Sequence, residues 1–263
     1  MAMHTRLISL SLLLLLSAAP ALADGPPPAS TVYAPPPPAP IWAGVYFIGL
    51  GGGVTGSIHG PLSHDDPLNP GPPPAPNFSA DLKGGHAGGF ALGYNWQAPG
   101  SMLVYGLEAN MNWVGASGAT AVSDGTNTWY LEPTIYSLGT LTGRVGIGMG
   151  PVLLYGSGGV AWALARTQNY VYCTGCVAAP LSEGVGKASH LGLIGGGGVE
   201  FMLGQYVVIR GEYLAASLGT GKHQFTGTTA DPMHAPSTTY DWDGAKPDLS
   251  FQLWRVGVGL KFN

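Results

Sequence analysis

The sequence predicts an all-β protein, an eight-stranded antiparallel up-and-down β-barrel that crosses a membrane. Three observations lead there. Apolar residues alternate with polar residues or glycine at period two, the signature of strands with unlike faces. The alternating segments run about ten to thirteen residues, where ordinary strands centre on about five or six. Short connections alternate with long ones, which gives four long outer loops and short periplasmic turns. Composition agrees: 45% of the 263 residues are hydrophobic and only 9% charged, against about 25% charged in an average soluble domain. The formal net charge of −4 leaves no basic footprint for nucleic acid.

Residues 1–23 read as a cleaved signal peptide. His4 and Arg6 precede an apolar run from Leu7 to Leu16, and Ala21-Leu22-Ala23 supplies the A-x-A site. A transmembrane anchor is the rival, but the run falls short of the ~20 residues a spanning helix needs. Export to the outer membrane follows. Residues 24–41, "DGPPPASTVYAPPPPAPI", form a Pro-rich periplasmic linker in extended polyproline II conformation. Peptidoglycan contact or display of a PxxP ligand is the alternative to a plain tether. The barrel is expected over 42–263.

Eight strands fill it. Four alternate cleanly. "LVYGLEANMNW" sets Leu103, Tyr105, Leu107, Ala109, Met111 and Trp113 against Gly106, Glu108, Asn110 and Asn112. "LTGRVGIGM" sets Leu141, Val145, Ile147 and Met149 against Thr142 and Arg144. "YVVIRGEYLA" sets Val207, Ile209 and Tyr213 against Arg210 and Glu212, and "LWRVGVGLKF" sets Trp254, Val256, Val258, Leu260 and Phe262 against Arg255 and Lys261. Segments 44–55, 84–97, 152–165 and 191–203 fit less cleanly. A transmembrane helix over Val145–Ala165, which carries no charge, is disfavoured by Pro151 and six glycines. "APGS", "GMGP" and "GQ" have tight-turn chemistry. The long loops are expected over 56–82, 114–136, 166–189 and 218–248.

Charge at the bilayer midplane on the lipid face costs about 2–4 kcal/mol for Arg or Lys, so strand charges are expected inside. Glu108, Arg144, Glu200, Arg210, Glu212 and Arg255 all oppose the large apolar residues of their strands, and three carboxylates can pair with three guanidiniums. An eight-stranded barrel is just wide enough for side chains to fill it. A structural network is expected; a gated polar path for solutes and acid–base catalysis are the alternatives. Trp42, Tyr46, Trp96, Trp113, Tyr213 and Trp254 are expected in the aromatic girdles at the headgroup level.

Cys173 and Cys176 lie in an exported chain and suggest a local disulfide, with free thiols and metal or redox work as alternatives. No metal and no cofactor is expected. "FIGLGGGVTGS" satisfies the GxGxxG spacing through Gly51, Gly53 and Gly56, but the prolines after Ser57 forbid the helix a dinucleotide loop requires. The stretch is expected instead to form the first strand, with Tyr46, Ile48, Leu50 and Val54 outward and Phe47, Gly49, Gly51 and Gly53 inward. "GTGKH" and "GVGKA" lack the hydroxyl residue that a Walker loop places after its Lys.

"APPPPAPIWAGVYFIGLGGG" resembles the entry to the porin-like outer-membrane β-barrel family of alphaproteobacteria, through Trp42, Gly44, Tyr46, Gly49 and Gly51. "LWRVGVGLKFN" resembles that family's last strand through Arg255, Gly257, Gly259, Lys261 and Phe262. Members finish on the aromatic itself, whereas here Asn263 follows Phe262. The resemblance implies a small eight-stranded surface barrel without catalytic residues. It also implies a C-terminal assembly signal, Trp254, Val256, Val258, Leu260 and Phe262, read by the barrel-assembly machinery.

The expected role is structural and surface-displaying, with the lumen filled. A porin-like channel for small solutes is the runner-up, followed by a loop-based adhesin or a lipid-modifying enzyme. An enzyme would need a His beside a Ser or carboxylate, and Ser189-His190 is the best pair, ahead of His86 and His223. Expected partners are outer-membrane lipid and lipopolysaccharide, the assembly machinery and, as an alternative role of the linker, peptidoglycan. A monomer is expected, an oligomer being the alternative.

Overall fold

The computed structural model describes residues 39–61, 77–123, 125, 127–173, 182–219, 221, 223–229, 238–245 and 247–262. They contain β1 (Gly44–Pro61), β2 (Asn77–Trp96), β3 (Leu103–Ser117), β4 (Thr120–Ser123), β5 (Asn127–Met149), β6 (Val152–Cys173), β7 (Ser182–Leu203), β8 (Val207–Leu218), β9 (His223–Thr229), β10 (Thr238–Ala245) and β11 (Asp248–Phe262). Eight of them form an antiparallel ring in the order β1, β2, β3, β5, β6, β7, β8, β11. The ring closes where β11 pairs with β1, from Val45↔Phe262 to His59↔Asp248. Closure leaves no sheet edge for a bilayer to strand without hydrogen bonds. β4 adds to β5, and the β9–β10 hairpin adds to β7. The signal peptide, most of the Pro-rich linker, Cys176 and Asn263 lie outside the described residues.

Both chain ends of the ring lie at the rim that carries the short connections. At one of these, the Ser101 N–H donates to the Ala98 carbonyl at 3.0 Å. Pro99 and Gly100 (φ +74°) occupy the central positions of a type II turn, where the second must take positive φ. Gly150 (φ +60°) likewise lets β5 reverse into β6, so Val145–Ala165 is a hairpin. Among the described residues, no helix is long and apolar enough to cross a membrane.

Seven of the ring strands are longer than expected, from 15 residues in β3 and β11 to 23 in β5, while β8 with 12 has the expected length. Much of each expected outer loop is strand. β1 continues to Pro61 and β2 starts at Asn77, while β6 continues to Cys173 and β7 starts at Ser182. The expected loops ended at Leu82 and Tyr136, and both positions adjoin β-bulges. In β2 the register shifts between Lys83 and Ala87, beside Gly84 with φ +66°. Even-numbered Phe78, Ala80 and Leu82 point inward before the shift, and odd-numbered Ala87, Ala91 and Asn95 after it. In β5 the shift falls between Ile135 and Ser137. Leu131 and Ile135 are buried on one side of it, and Leu138, Thr140, Thr142 and Arg144 on the other. A bulge inserts one residue and inverts the parity that period-two reading depends on.

One strand has the opposite facing from the one expected. In β1, Tyr46, Ile48 and Leu50 are buried in the barrel, while Val45 and Phe47 are exposed on the wall. From Gly44 to Val54 both faces of β1 are apolar, aromatic or glycine, so alternation in size carries no sign of inside or outside. The glycines settle the facing. A Cβ on Gly51 would meet nothing within 4 Å, as on an outer wall, and Gly53 on the same face lies beneath the outward-facing Trp254 indole of the neighbouring strand.

The outward row of β11 runs from Trp254 through Val256, Val258 and Leu260 to Phe262, all exposed. These nine positions span about 27 Å of contour at about 3.4 Å per residue, matching the 9–11 residues of a tilted spanning strand. Aromatic side chains mark both ends of the band. Trp96, tilted against Tyr94 with ring centroids 4.7 Å apart, lies at the short-turn rim. Trp113, Trp162 and the cross-strand pair Trp254–Tyr213 lie at the other boundary.

Candidate functional site, a filled lumen

The inward positions halfway along the spanning band carry three Glu and three Arg, delivered by five strands. Glu108 comes from β3, Arg144 from β5, Glu200 from β7, Arg210 and Glu212 from β8, and Arg255 from β11. All six are buried. Arg210 is at the centre: its Nη2 is 2.6 Å from Glu108 Oε2 and 2.7 Å from Glu200 Oε1. Its Nε donates to Glu200 Oε1 at 2.9 Å. The two Nη contacts are ion pairs off the hydrogen-bond direction. Arg144 bridges the same carboxylates, at 3.2 Å to Glu108 and 2.7 Å to Glu200. Arg255 donates through Nε to Glu212 at 2.5 Å, and through Nη1 and Nη2 to Asn112 and Asn110, both at 2.9 Å.

Neutral groups complete the cluster. Asn110 Nδ2 donates back to Glu108 Oε1 at 2.9 Å. The Tyr46 hydroxyl donates to Glu108 at 2.6 Å and accepts from Arg144 at 2.9 Å. The Tyr155 hydroxyl donates to Glu212 at 3.0 Å, and the Arg144 guanidinium lies 3.9 Å from the Tyr155 ring centroid. Six formal charges thus sum to zero inside the barrel, which is what makes their burial tolerable. Glycine at the directly paired position of the neighbouring strand makes the room. A Cβ on Gly93 would fall 2.2 Å from the Tyr46 hydroxyl oxygen, and one on Gly198 would fall 2.6 Å from that of Tyr155.

Strand order places apolar layers on both sides. Toward the short-turn rim, Val104, Met202 and Val208 lie next to the network on their strands and cluster with Trp42. Toward the outer rim, Leu138, Leu214 and Leu253 lie next to the network on their strands, backed by Leu131, Phe78 and Phe251. Two expected girdle residues therefore belong to the interior. Tyr46 is a network member. Trp42 is only 1% exposed, with its Nε1 donating to the Gly150 carbonyl at 3.1 Å and its N–H to Gln97 at 2.8 Å. An indole in the barrel mouth keeps its donor satisfied by an adjacent turn, which the headgroup region would otherwise do. Trp96, Trp113, Tyr213 and Trp254 are exposed on the wall.

Asn110 and Asn112 share the parity of Glu108, so period two alone could have found them. Tyr155 carried no such sign, because β6 has apolar residues on both faces. Lys261 is also buried, at the short-turn rim. Ser189 and His190 point to opposite faces: Ser189 is exposed, whereas His190 is fully buried with Nδ1 3.1 Å from the Gly219 carbonyl oxygen. His86 is exposed on the outer wall. Cys173 ends β6, and its expected partner Cys176 is outside the described residues. Among the described residues, no group of three His, Cys, Asp or Glu is arranged to hold a metal ion.

The chain is 29% identical over 178 residues to the 25 kDa outer-membrane immunogenic protein of Brucella melitensis, an alignment covering 67% of this chain and 65% of that protein. Among solved structures it is similar to Ail, the attachment invasion locus protein of Yersinia pestis (14% identity, TM-score 0.36, 84% of this chain and 99% of that one). It is also similar to the outer membrane protein OprG of Pseudomonas aeruginosa (13% identity, TM-score 0.38, 84% and 97%). The family described as outer membrane protein beta-barrel domain matches residues 9–262, and the chain belongs to it, an outer-membrane β-barrel with a buried ion network in its lumen.

Proposed function

We propose that the protein is a non-conducting structural barrel of the outer membrane that displays its outer strands at the cell surface. One observation carries the reading: the charged network spans the lumen and is stacked between two apolar layers. A hydrated ion moving along the axis would have to displace Arg210 from two carboxylates and then cross the Phe78, Leu131 and Phe251 layer. Barrels that conduct through open water use about 16–18 strands. The exported, surface-exposed setting also agrees with the word "immunogenic" in the name of the Brucella relative. The exposed row Trp254–Phe262 is the surface offered to the assembly machinery.

A catalytic role has little support. Ser189 and His190, adjacent in sequence, lie on opposite sides of the sheet and do not form a nucleophile–base pair. Planar-bilayer recording tests the main reading. The purified full chain should give no reproducible conductance steps above the leak of the bare bilayer. Regular openings at nanomolar protein, abolished by boiling, would replace this reading with a channel.

A further inference from the structure

We infer that the outer wall of β5, β6 and β7 binds a phosphorylated glycolipid of the lipopolysaccharide type, through Arg166 and Lys187. Among the described residues, the exposed lysines and arginines are Lys83 on β2, Arg166 on β6 and Lys187 on β7, and Lys83 already has Asp81 at 3.6 Å. Arg166 and Lys187 are direct cross-strand partners on β6 and β7, facing outward side by side. Like charges in that position repel. Among the described residues neither has an ion-pair partner, and the register puts the nearest carboxylate on this wall, Glu132, diagonal to Arg166. An anion held between them would turn the repulsion into attraction, and two adjacent cations suit a phosphate with its several acceptor oxygens.

Their height on the barrel selects the ligand. Below them lie Trp162 and Leu164 on β6 and Leu191 and Leu193 on β7, the top of the lipid-facing band. Four residues, or about 13 Å of strand, separate Trp162 from Arg166. The cations therefore sit at headgroup level, and their long side chains can reach down to the boundary. Above them the same wall carries Gln168, Tyr170 and Tyr172, with Tyr130 opposite Tyr170 and edge-on to Tyr172 at 5.4 Å. Exposed Tyr130 and half-buried Tyr170 and Tyr172 above the bilayer offer flat apolar rings with polar tips, a surface suited to the faces of sugars. The wall thus presents an acyl tier, a phosphate tier and a saccharide tier, the order in which such a glycolipid is built. A glycerophospholipid ends at the second tier. The inference rests on the outer-membrane placement and is independent of whether the lumen conducts.

The test uses the full chain folded in detergent micelles, with fluorescently labelled lipopolysaccharide as the probe. Each variant is first required to keep heat-modifiable gel mobility. The double variant Arg166→Gln, Lys187→Gln should weaken binding by about tenfold or more, and dephosphorylated lipopolysaccharide should bind the unaltered protein equally weakly. Lys83→Gln should change nothing. Tyr170→Ala should weaken binding of the full glycolipid and leave binding of its sugar-poor lipid anchor unchanged. Unchanged affinity in the double variant overturns the inference. So does equal competition by vesicles of phosphatidylcholine with phosphatidylglycerol, which would mean that any anionic surface serves.

Discussion

The spanning half of the barrel and its outer extension are built from the same strands with opposite polarity. In β5, residues 139–149 turn Leu141, Val145 and Ile147 to the lipid and Thr140, Thr142 and Arg144 to the lumen. A few residues earlier in the same strand, Leu131 and Ile135 point inward, while Tyr130 and Glu132 face out. The first half is apolar outside and ionic inside. The second is arranged like a water-soluble β-protein. The bulge at Tyr136 lies at the boundary and shifts the strand by one position, so one continuous hydrogen-bonded ladder serves two solvents. The two halves therefore have different weak points, charge pairing in one and apolar packing in the other.

Removing the central cation should have the largest effect. Arg210→Ala leaves Glu108 and Glu200 buried with only Arg144 between them. Breaking a buried ion pair from one side costs about 3–5 kcal/mol. Urea unfolding in lipid vesicles, followed by tryptophan fluorescence, should show a loss of that size. A loss below about 1 kcal/mol would mean that water enters and screens the carboxylates, and would reopen the channel reading.

The extension should answer to a different substitution. Leu131 is fully buried in the outer apolar cluster, so Leu131→Ala should cost about 2–5 kcal/mol locally. Limited proteolysis should then cut the extension while the spanning half keeps its resistance to SDS. Loss of both together would show that the two halves unfold as one unit.

The spanning half was largely legible in the sequence because lipid on one side and a narrow lumen on the other enforce strict alternation. Glu108, Arg144, Glu200, Arg210, Glu212 and Arg255 could be placed by parity alone, since a charge has only one tolerable side. Tyr46 and Trp42 could not be. Aromatic residues suit both a girdle and a plugged mouth, and β1 lacks a charged residue to fix its facing. In the sequence the extension has the look of loop for two reasons. Its polarity is inverted, and the bulges at Gly84 and Tyr136 break the count where the inversion begins. Its partners are also non-local: β9 docks on β7 through a register, Ser182↔Thr229 to Lys187↔Gln224, that no short window contains.

The smallest effects should come from the outer wall, and there one substitution type separates the halves. Val258 is the central residue of the exposed row from Trp254 to Phe262, so Val258→Arg places a guanidinium near the bilayer midplane. The expected cost is about 2–4 kcal/mol. Ser79 also faces outward, on β2 between buried Phe78 and Ala80 and opposite His59, but beyond the girdle. There the same new charge meets water, and Ser79→Arg should change stability by no more than about 0.5 kcal/mol. Folding efficiency into vesicles, read as the fraction with heat-modifiable mobility, measures both. Equal penalties would move the membrane boundary outward past the bulges and put the extension in lipid. A penalty at Val258 alone fixes the boundary at the level where Trp113, Trp162 and Trp254 lie, because the cost of a wall charge depends on what the wall faces.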